Sequence, residues 1–215
     1  MTYQFYILKK QQFKEKQSLF TILTHDDSLL KVIGQGQTKL QCQSIQSFQK
    51  LEAPIKISAR STLHTMRKPE SLEGFYLTGP HLFAGMYLNE LIIKLSNEGP
   101  QSTGLFDLYH RTLLDIQRKK DLAPTIRKFE IILLELQGYG IDLTCPNETP
   151  ISVQNGEWQY FEKSPWQIGD IKEILEDKAS LSTCKKVRSL TLEMITTLMP
   201  SQSLNTLKWL QSVYC

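Results

Sequence analysis

Leu19-Phe20-Thr21-Ile22-Leu23, then Thr24-His25-Asp26-Asp27-Ser28, then Leu29-Leu30-Lys31-Val32-Ile33: two short apolar runs flank a polar stretch with turn chemistry. Branched and aromatic side chains suit a pleated strand, and Thr, Asp and Ser side chains bond their own backbone in turns, so residues 19–33 predict a β-hairpin. Upstream, Phe5-Tyr6-Ile7-Leu8 is a third run of the same kind. Downstream, Leu51, Ala53, Ile55 and Ile57 alternate with polar residues except at Pro54. That alternation predicts a half-buried strand, and Pro54, which cannot donate to a ladder, predicts an edge position for it. Leu63-His64-Thr65-Met66 is a weaker fifth strand. Five short strands in roughly 70 residues, with no helical pattern among them, predict a small barrel, and the OB-fold is the commonest barrel of that size that binds nucleic acid.

After Pro80 the hydrophobic period changes from two to between three and four. Leu82, Met86, Leu91 and Leu95 make one stripe, with Phe83 and Leu88 filling it. Leu105, Phe106, Tyr109, Leu113 and Ile116 make a second, and Ile126, Phe129, Ile132, Leu133 and Leu136 a third. Pro124 suits a first helical turn, and Gly138-Tyr139-Gly140 supplies a left-handed stop. Residues 151–161 read as a hairpin around Asn155-Gly156. Val187, Leu190, Met194, Ile195 and Leu198, then Leu204, Leu207 and Leu210, are further amphipathic stretches. The expected architecture is α+β: a five-stranded OB-fold β-barrel over residues 1–78, then an α-helical domain over 79–215 with a small inserted β-hairpin near 151–161.

The chain has 215 residues, 40% of them hydrophobic and 22% charged, an ordinary globular mixture with enough length for a sizeable core. It has no run of 18 apolar residues, which excludes a spanning helix, so no membrane partner is expected. The first ten residues lack a basic lead and a long apolar stretch, so no secretory signal is expected and the location is read as cytoplasmic. Cys42, Cys145, Cys184 and Cys215 lie more than 30 positions apart from one another, without the paired spacing of a zinc site. Four free thiols are expected, with no metal and no cofactor.

Charge separates the two halves. Residues 1–80 carry 11 Lys+Arg against 6 Asp+Glu, whereas residues 81–215 carry 14 against 16. A basic barrel suggests a polyanion partner. Enzymatic constellations are weak: His25, His64, His81 and His110 are scattered, and no metalloprotease, nucleophile-elbow or phosphate-loop motif is present. Gly34-Gln35-Gly36-Gln37-Thr38-Lys39 has the wrong spacing for a phosphate loop and reads as a turn. His25-Asp26-Asp27 is explained by the hairpin turn without an ion. The chain is therefore expected not to be an enzyme.

Ile126-Arg127-Lys128-Phe129-Glu130, the apolar helix after it and Gly138-Tyr139-Gly140-Ile141-Asp142 resemble the bacterial recombination and repair family RecO. Gly85-Met86-Tyr87-Leu88-Asn89-Glu90-Leu91 is similar to a second block of that family, and Leu105-Phe106-Asp107-Leu108-Tyr109 with Arg111-Thr112-Leu113 to a third. Gln46-Ser47-Phe48 resembles its Gln-Pro-Phe at the barrel edge. The resemblance implies an OB-fold followed by a helical domain, binding of single- and double-stranded DNA, annealing of complementary strands, and help for RecA in displacing single-strand binding protein, together with RecR. It also implies work in the cytoplasm, at the nucleoid during repair. Many members hold a four-Cys zinc site after the Gly-Tyr-Gly helix; here only Cys145 stands in that region, so the chain resembles the zinc-free branch.

The basic barrel loop of the family is Gln35-Gly36-Gln37-Thr38 here, with only Lys39 charged, and its C-terminal Leu-Lys-Ser-Arg appears as Leu204-Asn205-Thr206-Leu207. Lys9, Lys10, Lys14 and Lys16 around Phe13 offer a compensating mixture of cations and one aromatic. The expected DNA contacts are Lys9, Lys10, Phe13, Lys14, Lys16, Lys31, Lys39, Arg60 and Arg67. The matching family position puts Arg127 at a groove for the acidic, Phe-ended tail of single-strand binding protein, with Lys128 beside it and Tyr109 and Phe129 as walls. The alternative is an interaction adaptor with little intrinsic DNA binding.

Overall fold

The computed structural model describes residues 1–14, 17–34, 45–160, 164–199 and 204–207, with Lys14 described by its backbone alone. Five strands, β1 (Thr2–Lys14), β2 (Gln17–Thr24), β3 (Ser28–Gly34), β4 (Gln49–Lys56) and β5 (Leu63–Met66), pair in the order β1-β2-β3-β5-β4, and β4 pairs back onto β1. The sheet is thus closed. β3 and β5 run parallel, and the other pairings of the ring are antiparallel, which is the closure of an OB-type barrel. β6 (Glu70–Gly74) adds to β4, and the two-residue β7 (Gly99–Pro100) adds to β3.

Pro54 does not mark an edge strand. On one side β4 pairs β1 through Lys50–Pro54; on the other, Gln49–Glu52 pair β6 and Ile55–Lys56 pair β5. The N–H of Ile55 donates to the Met1 carbonyl on the β1 side, so Pro54, one residue before, faces the side where β4 changes partner. Its missing N–H falls in that gap, where the ladder asks nothing of it.

The uninterrupted run Phe5-Tyr6-Ile7-Leu8 is apolar because both faces of β1 are covered. Phe5 and Ile7 point inward with Phe20, Ile22, Val32, Leu51, Ile55 and Met66. Tyr6 and Leu8 point outward, with Leu23 and Leu29, and join the core of the helices. Those helices are α1 (Pro80–Leu95), α2 (Leu105–Gln117), α3 (Leu122–Leu136), α4 (Ile168–Leu175) and α5 (Leu181–Leu198). β8 (Pro150–Gln154) and β9 (Glu157–Tyr160) form the expected hairpin, with Asn155 at φ 53° and Gly156 at φ 79°, both left-handed as a tight two-residue turn requires. β10 (Trp166–Gln167) pairs with β8. No helix among the described residues is long and apolar enough to cross a membrane.

Polar contacts lock the barrel to the helices. The Asp27 carboxylate accepts the N–H groups of Gly104 (2.9 Å) and Phe106 (2.7 Å), capping α2 from the β2–β3 turn. The amide of Asn89 donates to the Leu8 carbonyl at 3.0 Å, and its oxygen accepts the Tyr109 hydroxyl at 2.5 Å. Tyr6 of β1 shares a 2.6 Å hydrogen bond with His110 Nδ1 of α2. Gly85 lets the Phe48 ring and Leu77 lie against α1: a Cβ there would meet their side chains at 2.8 and 2.7 Å.

Candidate nucleic-acid interface and helical groove

The outer face of the barrel has a covered part and an open part. Tyr6, Leu8, Leu23 and Leu29 lie under the helices. Beyond them Lys9 of β1 pairs with Thr21 of β2, and Thr21 pairs with Lys31 of β3. Directly paired residues share a face, so Lys9, Thr21 and Lys31 form one row across three strands, with about 10 Å between the two lysine backbones. A register shift between Ile7 and Lys9 allows this: the bulge puts Lys9 on the same face as Leu8.

Lys31 also lines a cleft of about 440 Å³ with Arg60, Ser61 and Thr62 of the β4–β5 loop, His64 of β5, and Glu98 and Gly99. The loop is held by short bonds: the Ser58 N–H donates to His64 Nδ1 (3.1 Å), and the Leu63 N–H to Ser61 Oγ (3.0 Å). Lys31 makes an ion pair with Glu98, each side chain 40% exposed. In OB-folds the face of strands 2 and 3 and the β4–β5 loop are the usual oligonucleotide surface.

The remaining expected contacts are placed differently. Lys10 pairs with Phe20 on the inward face, where its Nζ donates to the Ile45 carbonyl at 3.3 Å and lies 5.9 Å from the Phe20 ring centroid, across the barrel mouth. Phe13, 42% exposed, stands farther along β1. Arg67 is exposed just past β5, at the other end of that strand from the cleft. The structure therefore joins Lys9, Lys31 and Arg60 around one surface and sets Lys10, Phe13 and Arg67 apart from it. Lys16, Lys39, the side chain of Lys14 and the Gln35-Gly36-Gln37-Thr38 segment lie outside the described residues.

A second concave surface runs between α2 and α3, about 1010 Å³ in volume. Leu108, Pro124, Phe129, Ile132 and Leu136 form its apolar floor, and Arg111, Lys119, Lys120 and Lys128 stand on its rim together with Asp107, Asp115, Asp121 and Asp177. Lys120 pairs with Asp115 and Lys128 with Asp177, at 2.8 and 2.7 Å; Arg111 and Lys119 are exposed. Lys128 and Phe129 are thus at the groove.

Arg127 and Tyr109 are not. Arg127 is 4% exposed, lies 2.5 Å from the Glu130 carboxylate and donates to Thr191 Oγ1 at 2.9 Å. Glu130 is fully buried and also accepts from Tyr87 (2.7 Å) and Thr191 (2.6 Å). Burial pushes its carboxyl above the usual carboxylate range, against the pull of Arg127 and the two hydroxyls. The physical reason is helical geometry. Adjacent residues point about 100° apart, so Arg127 and Lys128 cannot share a face, and the spacing of three to Glu130 turns Arg127 inward. Tyr109 is buried on Asn89. The rim cations that replace Arg127 were signalled by Arg118-Lys119-Lys120, a basic run between two helical stretches.

Asn89 and Glu90 also prove to be positioning residues. The Glu90 carboxylate accepts the N–H groups of Asn205 and Thr206, each at 2.9 Å, and pairs with Lys94 at 2.8 Å, which docks residues 204–207 on α1. Partial burial would raise its pKa, but Lys94, Thr206 and Asn205 together bring it down to about 2.

Among the described residues the donors around Cys145 do not make a four-thiolate zinc site; Cys42 and Cys215 lie outside those residues. Cys184 is buried on α5, and among the described residues no group of three His, Cys, Asp or Glu could hold a metal ion. The loop is fastened instead by Lys172, whose Nζ donates to the Cys145 carbonyl (3.0 Å) and Asn147 Oδ1 (2.9 Å).

The family model described as "Recombination protein O C terminal" matches residues 78–182. The chain is similar to the DNA repair protein RecO of Aliivibrio fischeri, 26% identical over 163 residues, which are 74% of this chain and 68% of that protein. It is 29% identical over 160 residues to that of Hahella chejuensis, covering 73% of this chain and 66% of that protein. It is 33% identical over 139 residues to that of Stutzerimonas stutzeri, covering 64% and 58%.

Proposed function

We propose, on the premise that this chain belongs to the RecO family of DNA repair proteins, that it is a non-enzymatic mediator of DNA repair and recombination. It binds single- and double-stranded DNA on the open face of the barrel, anneals complementary strands, and helps load RecA onto DNA coated with single-strand binding protein. RecR is its working partner. The observation that carries this reading is the row Lys9–Thr21–Lys31 leading into the cleft with Arg60, on the face where OB-folds hold a strand. Cations on that row neutralise phosphates; Phe13, farther along β1, can stack on a base for about 1–3 kcal/mol. Annealing then needs only that two strands be neutralised side by side, with no bond made or broken.

The second contact is the acidic, Phe-ended tail of single-strand binding protein in the α2–α3 groove. The terminal ring would enter the floor of Leu108, Phe129 and Ile132. The rim also carries Asp107, Asp115, Asp121 and Asp177, so the apolar floor supplies the affinity for the ring, and the exposed Arg111 and Lys119 are the cations that receive the carboxylates.

Salt titration of oligonucleotide binding tests the first contact. If six of the expected cations meet phosphates, log K falls against log salt with a slope of about −4 to −5. A slope near zero, with annealing absent on bare DNA, would leave the adaptor reading, in which the groove alone works. For the second contact, a tail peptide lacking its terminal Phe should bind at least tenfold more weakly. Lys119→Glu should weaken the peptide and leave naked-DNA binding within twofold; undiminished peptide binding in both cases removes the groove from the proposal.

A further inference from the structure

Among the described residues, Glu98 is the one acidic side chain lining the cleft that holds Lys31 and Arg60, and its place there is imposed by the fold. The residue belongs to the helical domain, in the segment after α1. That segment is tied to the barrel at successive points. Gly99 and Pro100 pair with Leu29 and Ser28 of β3, the Gln101 N–H donates to the Asp27 carbonyl at 2.7 Å, and the Asp27 carboxylate holds the amides of Gly104 and Phe106. Residues 99–106 are thus a strap laid along the β2–β3 turn. Glu98, at the open end of the strap, reaches the Lys31 ammonium. A carboxylate is presented where the proposed interface would receive a phosphate oxygen.

We infer that Glu98 is an intramolecular competitor for the phosphate site at Lys31, so that a nucleic-acid strand binds this cleft by displacing it. The inference rests on the DNA-binding reading of the barrel. Both partners are 40% exposed, and an ion pair in that setting is weak. It therefore yields to a polyanion, which brings several phosphates at once, and resists an isolated phosphate. Salt screens the Lys31–Glu98 attraction, so the competition is strongest at low salt and flattens the salt dependence of strand binding. Removing the carboxylate makes Lys31 a full contributor to the salt dependence. The pair thus sets a threshold: short or sparsely charged ligands are screened out, and a continuous strand is admitted.

The test is an anisotropy titration of labelled oligo(dT) across a salt series with the full chain and four variants: Glu98→Gln, Lys31→Met, the two combined, and Glu70→Gln as a control that removes one exposed carboxylate from β6. Glu98→Gln should tighten binding about three- to fivefold at low salt and steepen the slope by about 0.7, the value per phosphate for single strands. The gain should vanish when Lys31→Met is present, and Glu70→Gln should change affinity less than 1.5-fold. If Glu98→Gln matches Glu70→Gln, or its gain survives without Lys31, the inference is overturned and the charge effect is general. Should the unmodified chain bind with the expected slope while Glu98→Gln leaves it unchanged, this inference alone falls. If neither binds at any salt, the DNA-binding reading falls with it.

Discussion

The inside of the barrel and the seam between barrel and helices are both buried, but they are built of different material. Inside, Phe5, Ile7, Phe20, Ile22, Val32 and their neighbours form an apolar cluster whose contribution depends on filled volume. At the seam the apolar contacts of Tyr6, Leu8, Leu23 and Leu29 are joined by directed ones: Asp27 on the α2 amides, Asn89 on the Leu8 carbonyl, Tyr6 on His110. Volume-driven packing tolerates small rotations, whereas a carboxylate aimed at two amides does not. The barrel interior decides that a barrel exists; the seam decides how the helices sit on it, and hence where the strap, Glu98 and the open face fall.

That contrast can be broken by mutation. Ile22→Ala should cost about 3 kcal/mol by denaturant unfolding, the usual range for a fully buried aliphatic, and the loss should be the same at pH 7.5 and 5.5. A strong pH dependence of that loss would mean the interior is not independent of the seam. Asn89→Ala should cost about 2 kcal/mol, because it leaves the Leu8 carbonyl and the Tyr109 hydroxyl buried without their partner. Asp27→Ala should cost about 1 kcal/mol as a lost helix cap. Its sharper signature is faster amide exchange at Gly104 and Phe106 than in the barrel strands; uniform exchange would contradict the assigned role.

The smallest effect is a titration. Burial holds the His110 pKa below its ordinary value, with Lys50 and Arg111 adding to the fall and Glu73 and Asp107 opposing it. The folded seam then resists a proton that the unfolded chain takes up near pH 6.5. The neutral ring's contribution is full above that pH and declines as pH drops below it. Unfolding midpoints should decrease from pH 7 to pH 5.5, and His110→Gln should flatten part of that decrease. An unchanged profile in the variant would place the titration elsewhere.

Much of this fold was legible in the residues. β4 and the first three helices follow from hydrophobic period, which reports one buried face, and β1, β2 and β3 follow from short branched and aromatic runs set off by turn residues. What was not legible had weak local signals. β6 reads Glu70-Ser71-Leu72-Glu73-Gly74, with no alternation, since it is half covered at most. β7 is two residues whose pairing is set by tertiary contact. α4 carries Ile168, Ile171 and Ile174 on one face but is only eight residues long, too short to stand out. Pro54 suggested an edge by a sound rule, and the rule was met instead by a change of partner along one strand. For the site, cation identity was visible but direction was not. Lys9 and Lys10 are neighbours in sequence and lie on opposite faces of β1, and Arg127 turns inward to Glu130 while Lys128 stays at the rim.

The seam has a consequence for a chain leaving the ribosome. The barrel can close once Met66 has emerged, since β5 completes the ring. Tyr6, Leu8, Leu23 and Leu29 then face water, because the helix residues that cover them, from Ala84 through Tyr109 and beyond, are still to be translated. At ordinary elongation rates that interval is on the order of seconds. During it the nascent barrel displays a greasy flank and an unsatisfied carbonyl at Leu8, a surface fit for a chaperone or for a second nascent barrel. Slow codons placed between Met66 and Tyr109 would lengthen that exposure and lower the soluble yield, and slow codons placed after α5 would not.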